Sequence, residues 1–382
     1  MEAIALPEDI RIEVKTSVSG FPAKEWNALA GNNPTLKHAY FLALEESGCV
    51  SAATGWVPQF LAVWCGHELV GAMPLYFKSH SYGEFVFDFA WAEAYEQNGL
   101  QYYPKLVSSV PFTPVSGSRL LSHSAEIRTM LVQAAIQLAR QADASSLHIL
   151  FPPEELAREL VAQNKSLMLR NTVQFHWENA GYGDFTDFLS SMRHDKRKKI
   201  KQERKKLREA GISFERIRGQ DASEDDWKFF YTCYLHTHHL YQSPVPLTLD
   251  FFLQLGRTMP ENILLIFASR AEERIGAAFD LFNETHFYGR SWGALEYIPG
   301  LHFEVCYYQA TEFCIENKIG LFEGGAQGGH KLARGLLPIT TFSVHWLAHP
   351  QFAATVDNFL QRETGSILQY VNELKESNPF KR

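Results

Sequence analysis

Between residues 124 and 142 the apolar positions Ile127, Leu131, Ala134, Ala135 and Leu138 recur at helical spacing. The segment QFLAVWCGHELVGAMPLYFK (59–78) alternates instead, and reads as two strands about a tight turn at Gly66 and His67. Extended across the chain, the same reading gives a strand at 11–18, helices at 22–29 and 36–47, the hairpin, and the helix at 124–142. The strand LHILF, a helix opened by Pro152 and Pro153, and the strand LMLRNTVQFHWEN follow. Residues 82–117, aromatic and broken by Pro104, Pro111 and Pro114, show no period. The polar run NAGYGD then marks a boundary, predicting domains at 1–178 and 179–382.

The second half has the same grammar: helices at 185–192 and 193–210, strand ISFERIRG, helices at 224–237 and 249–259, then strands ENILLIFAS, RIGAAFDLFN and HFYGRSWG. A helix from His302, strand LFEGG, strand ITTFSVHWLA and a helix at 350–374 complete it. Antiparallel strands alternating with helices, twice over, predict a mixed-sheet α/β (α+β) architecture in two copies. A chain of 382 residues exceeds what one compact core usually holds, which agrees with two domains.

Polar chemistry is densest from 285 to 335. Strict alternation places His286, Tyr288, Arg290 and Trp292 on one strand face and Phe287, Gly289 and Ser291 on the other. Pro299 and Gly300 break the chain before a helix with an apolar stripe, whose first turn carries Glu304. The run GLFEGGAQGGHKLARG packs four glycines, at 324, 325, 328 and 329, into six residues, and carries the polar side chains Glu323, His330, Lys331 and Arg334. Such a composition lets backbone N–H groups approach a ligand closely.

Charge adds a second feature. Residues 193–209 hold ten Lys or Arg against Asp195, Glu203 and Glu209, so this helix carries 10 − 3 = +7 in a chain of net −7. Lys198, Lys199, Lys205 and Lys206 are its candidate contacts to a polyanion, with a solvated helix face as the alternative. No aromatic residues interleave with these cations, so base reading is not expected. Five scattered cysteines without CxxC argue against a disulfide framework or zinc ribbon. His236 and His239 lack an HExxH pattern, and no metal site is expected. No GxSxG elbow is present, no apolar run is long enough for a membrane helix, and MEAIALPEDIRIEVK does not read as an export signal, so a cytoplasmic protein is expected.

The order of elements, the helix KRKKIKQERKKLREAG before a strand, and the pieces LHFEVCYYQ, FEGGAQGGHKLARG and VHWLAHPQF resemble the FemAB-like family of the GNAT acyltransferase superfamily, labelled peptidoglycan biosynthesis or recognition. The resemblance implies two tandem GNAT-like domains, each a mixed, mostly antiparallel sheet flanked by helices. It also implies N-acyl transfer from aminoacyl-tRNA to an amine of a peptidoglycan-precursor-like acceptor. The family's acidic residue and two glycines correspond to Glu323, Gly324 and Gly325, and its downstream lysine to Lys331. Acetyl-CoA is the alternative donor, but the nearest [RQ]xxGx[GA] runs, RSWGAL from Arg290 and RIRGQD from Arg216, fail at the last position. A binding protein without turnover is the other alternative.

For acyl transfer the expected catalytic set is Lys331 as oxyanion or phosphate contact, Asp280 as base or as partner of Arg290, and Glu323. Tyr288, Trp292, Glu304, Gly324, Gly325, His330 and Arg334 are the expected substrate contacts.

Overall fold

The computed structural model describes residues 9–326 and 328–381. The chain packs into two units, the first made of residues up to Thr172 with Thr341–Ile367, the second of Val173–Thr340 with the residues from Leu368.

In the first unit, β1 (Ile10–Lys15), β3 (Phe60–Cys65) and β4 (Glu68–Met73) form a three-stranded antiparallel sheet. A second run has the order β2 (Trp56–Pro58), β5 (Tyr76–Lys78), β6 (Lys105–Ser108), β7 (Ser146–Leu150), β14 (Leu337–Leu347). Helices α1 (Ala23–Ala30), α2 (His38–Glu46), α3 (Phe89–Gln97), α4 (Ala125–Gln141) and α5 (Glu154–Gln163) belong to it. The Ser124 hydroxyl caps α4 by accepting the Ile127 N–H at 3.3 Å, and Ile127, Leu131, Ala135 and Ala139 then bury one stripe among Leu61, Val63, Leu147 and Ile149.

Residues 82–117, which show no period, contain α3 and β6. Their pattern is obscured because polar side chains point inward. Lys105 is fully buried, donating to Ser81 Oγ and Glu84 Oε2 at 2.8 Å each and to Asp88. Tyr102 OH donates to Asp88 at 2.6 Å and lies 3.2 Å from His148, whose Nδ1 is 2.6 Å from His345 Nδ1.

In the second unit the strand order is β8 (Met168–Glu178), β13 (Leu321–Ala326), β12 (His286–Ala294), β11 (Glu273–Phe282), β10 (Ile263–Arg270), β9 (Ile212–Arg218). All neighbours are antiparallel except β12 and β13. One face carries α6 (Phe185–Ser191), α7 (His194–Glu209) and a compound helix: α10 (Leu301–Phe303), a π turn (Glu304–Tyr308) and α11 (Gln309–Glu316). The other carries α8 (Glu224–Leu240), opened by a Ser223/Asp226 capping box, and α9 (Leu249–Thr258). Gly300 sits at φ +92°, a conformation open to glycine, and turns the chain into α10.

The second unit is not continuous to the C-terminus, as one cut at 178/179 would have it. Ser343–Leu347 pairs with Ser146–Leu150 of the first unit, and α12 (Pro350–Glu376) leaves that unit after Ile367. The tail then pairs within the second unit, where Arg193 N–H donates to Pro379 O and Lys381 N–H to Ser191 O.

Candidate functional site

Strands β12 and β13 pair over only three positions, His286 with Leu321, Phe287 with Phe322 and Tyr288 with Glu323. Beyond these they part, and three devices gather there.

The first is a bulge in β12. Phe279 pairs with Ser291 but Asp280 with Gly289, so Arg290 is an extra residue in the register. Its N–H turns to Asp280 Oδ1 at 3.4 Å. The bulge shifts the alternation by one, so Trp292 and Ala294 pack on the same core as Phe287. This corrects the continuous face of His286, Tyr288, Arg290 and Trp292: only His286 and Tyr288 remain together, ring centroids 6.0 Å apart. Asp280 is 2% exposed, its Oδ2 has no hydrogen-bond partner, and burial pushes its carboxyl well above the ordinary range.

The second is the glycine loop. Lys331 lies in a short 3₁₀ turn (Gly329–Arg334) and sends its Nζ back to the carbonyls of Gly324 at 2.7 Å, Gly325 at 3.3 Å and Ala326 at 2.9 Å. An ammonium has three protons, and here all three go to this loop. Lys331 therefore does the work of a neighbouring strand where β12 has departed, instead of standing free as an oxyanion contact. Burial lowers its ammonium to about 8. Gly324 is required by packing, since a Cβ there would lie 2.2 Å from Leu336 Cδ2, and Gly325 sits at φ +77°. Glu323 forms a row across three strands with Tyr288 and His176, its Oε2 3.9 Å from His176 Nε2. Burial, then the charges of His286 and Lys331, hold His176 down to about 3.

The third is the π turn. Its i→i+5 bond from Gln309 N–H to Glu304 O brings residues five apart over one another, so the rings of His302 and Tyr307 come within 5.3 Å. Around them stand Trp292 at 4.9 Å and His330 at 5.9 Å from His302, with Phe303 at 5.5 Å from His330. Tyr307 OH is 3.3 Å from His330 Nε2. Burial, with the neighbouring cations, lowers His302 to about 4 and shifts His330 the same way, so both imidazoles are neutral at pH 7. The cluster can take up and pass a proton without carrying a resident charge.

Two expected substrate contacts are instead buried ion-pair partners of α7. Glu304 is 1% exposed and receives Arg204 through Nε at 3.1 Å and Nη2 at 2.9 Å. Arg334 is 3% exposed, donates to Glu203 at 3.0 Å and lies 3.4 Å over the Phe303 ring. Tyr308 OH also donates to Glu203. Glu203 and Arg204 fix the π turn and the 3₁₀ turn to one helix. Lys198, Lys199, Lys205 and Lys206 are exposed on that helix.

Sequence reading missed His302, Tyr307, Glu203 and Arg204. Helical spacing puts positions 302 and 307 on different faces, and only the π turn joins them. Arg204 and Glu203 were lost among the charges of their run.

Among the described residues no group of three or more His, Cys, Asp or Glu side chains is placed to hold a metal ion, and no helix is long and apolar enough to cross a membrane.

The FemAB-like family, described as peptidoglycan biosynthesis/recognition, matches residues 17–382. The chain belongs to that family. Among solved structures it is similar to FemX, at 11% identity over 88% of this chain and 98% of that one, TM-score 0.54. A conserved protein of unknown function from Bacteroides thetaiotaomicron is similar at 10% identity over 88% and 100%, TM-score 0.50. The search of curated proteins finds no match. These likenesses show the fold, a mixed α/β chain in two units. Membership of the family makes this FemAB-like protein an acyltransferase.

Proposed function

We propose that the protein transfers an aminoacyl group from aminoacyl-tRNA to a primary amine of a peptidoglycan precursor, in a reducing cytoplasm where its five cysteines stay unpaired. The observation that carries this reading is the neutral imidazole and phenol cluster at the parting of β12 and β13, inside a chain whose family is peptidoglycan biosynthesis/recognition. The amine nitrogen attacks the ester carbonyl, a C–N bond forms and the ester C–O bond breaks. The amine must lose a proton in the process, and the departing ribose oxygen must gain one.

His330, half-exposed and backed by Tyr307, is the acceptor of that proton and its donor to the leaving oxygen. Asp280, its carboxyl pushed up by burial beneath the bulge, keeps Arg290 and the end of β12 in place by accepting the Arg290 N–H. Acetyl-CoA fits less well. RSWGAL forms the end of β12 and runs one residue past it, and RIRGQD runs from β9 into a 3₁₀ turn, so neither opens an α-helix where a pyrophosphate would meet free N–H groups.

The test supplies radiolabelled aminoacyl-tRNA and nucleotide-linked muropeptide, with labelled acetyl-CoA in a parallel arm. Label should pass to the muropeptide only from tRNA, and His330→Ala should lower kcat by about 10² to 10⁴. Transfer from acetyl-CoA alone, or unchanged turnover in His330→Ala, overturns this assignment.

A further inference from the structure

The basic helix α7 has two different faces. Inward, Ile200 and Leu207 are each 1% exposed, and Glu203 and Arg204 pair with Arg334, Tyr308, Glu304 and Glu312. Outward, His194, Arg197, Lys198, Lys201, Gln202 and Lys205 line a shallow groove of about 290 Å³. Arg197, Lys198, Lys199, Lys201, Lys206 and Arg208 form no ion pair among the described residues. The acids Asp195 and Glu209 lie at the two ends of the helix, and Glu203 points inward.

We propose that this outward stripe is a docking surface for the sugar–phosphate backbone of a nucleic-acid duplex. The groove residues recur at i, i+3, i+4, i+7, i+8 and i+11. From 194 to 205 they extend roughly 16 Å at 1.5 Å per residue, with a cation about every turn. Over that length one strand of a duplex presents about five phosphates. A nucleoside diphosphate presents two and engages a single turn, leaving most of the stripe without a function. A membrane surface fits less well too, because the buried Ile200 and Leu207 leave the outward stripe no apolar residue to enter lipid. Without interleaved aromatics the stripe grips backbone and does not read bases.

The inference rests on the aminoacyl-tRNA reading for its natural ligand, the acceptor-stem duplex, but its own readout is binding alone. The probe is a fluorescent 12-base-pair RNA duplex, titrated into the full chain across a salt series. Binding should weaken with salt at a log–log slope of about −3 to −4, and Lys201→Ala should reduce the magnitude of that slope by about 1. The fourfold reversal Arg197→Glu, Lys198→Glu, Lys201→Glu, Lys205→Glu should lower affinity at least about 100-fold at low salt. Lys228→Glu, a reversal on α8, should change it little; circular dichroism confirms that each variant is folded. Equal binding by a folded fourfold variant overturns the proposal. So does absence of RNA binding by the wild type alongside binding to phosphatidylglycerol vesicles. If duplex binding follows α7 as described but no label leaves aminoacyl-tRNA, the docking surface stands and the donor assignment falls.

Discussion

Lys331 is the residue at which residue type and residue role diverge most. Its sequence context, a lysine just past four glycines, suggests a charge offered to a ligand. In the fold its ammonium closes the loop it belongs to, on the carbonyls of 324–326. The two roles separate by measurement. Lys331→Met should lower unfolding free energy in urea by about 2–3 kcal/mol, the range for hydrogen bonds from a charged donor, and activity should fall with it. An oxyanion contact would instead lose roughly 10²- to 10³-fold in turnover at unchanged stability. His176 offers a second residue-scale test. In the native protein it stays neutral down to about pH 3, whereas in the unfolded chain it protonates below its ordinary value of 6.5. Unfolding therefore takes up a proton as pH falls below 6.5, and this site costs stability from there towards 3. His176→Gln removes that uptake. The stability lost between pH 7 and pH 5 should then be smaller in the variant by roughly 2 kcal/mol, read from urea curves at both pH values.

At the scale of elements, legibility followed regularity. The α4 stripe, the hairpin about Gly66 and the strand and helix order of the second half carry plain period-2 or period-3.6 patterns, and each appears in the fold. Two departures from regular geometry did not announce themselves. The bulge at Arg290 adds one residue to β12 and reverses which side chains follow, so Trp292 joins the face opposite to the one expected. The π turn at Glu304–Tyr308 does the same for the compound helix, and the candidate site depends on both. Residues 82–117 were unreadable for another reason: burial there is of charge, which no hydrophobic pattern reports. Against burial, which favours the acid form, Lys105 holds Asp88 at about 2, while burial raises Glu84 to about 7. Lys105→Met leaves these two carboxyls buried without their ammonium. It should destabilise the first unit by about 3–5 kcal/mol, seen as an earlier transition in denaturant.

For the molecule as a whole, the feature with the widest reach is that the first unit is closed by a segment far along the chain. Without Thr341–Ile367, Ser146–Leu150 loses its antiparallel partner, and Trp346, Val344 and Phe342 leave the core around Leu147 and Ile149. The pair Val344→Asp and Trp346→Asp, which unseats this strand and leaves the second unit's tail intact, should therefore bring protease cleavage within residues 9–172 while Val173–Thr340 stays comparatively protected; equal resistance across the chain would contradict this. The same feature sets a schedule at the ribosome. At about 5–20 residues per second, the first unit waits roughly 10–40 s between the emergence of Thr172 and that of Ile367. Throughout that interval its sheet has an open edge beside Ser146–Leu150, and by its end nearly all of the second unit is available to fold. The half of the protein begun first is thus held open until nearly the whole chain is made, and its yield should depend on whatever shields that edge during synthesis.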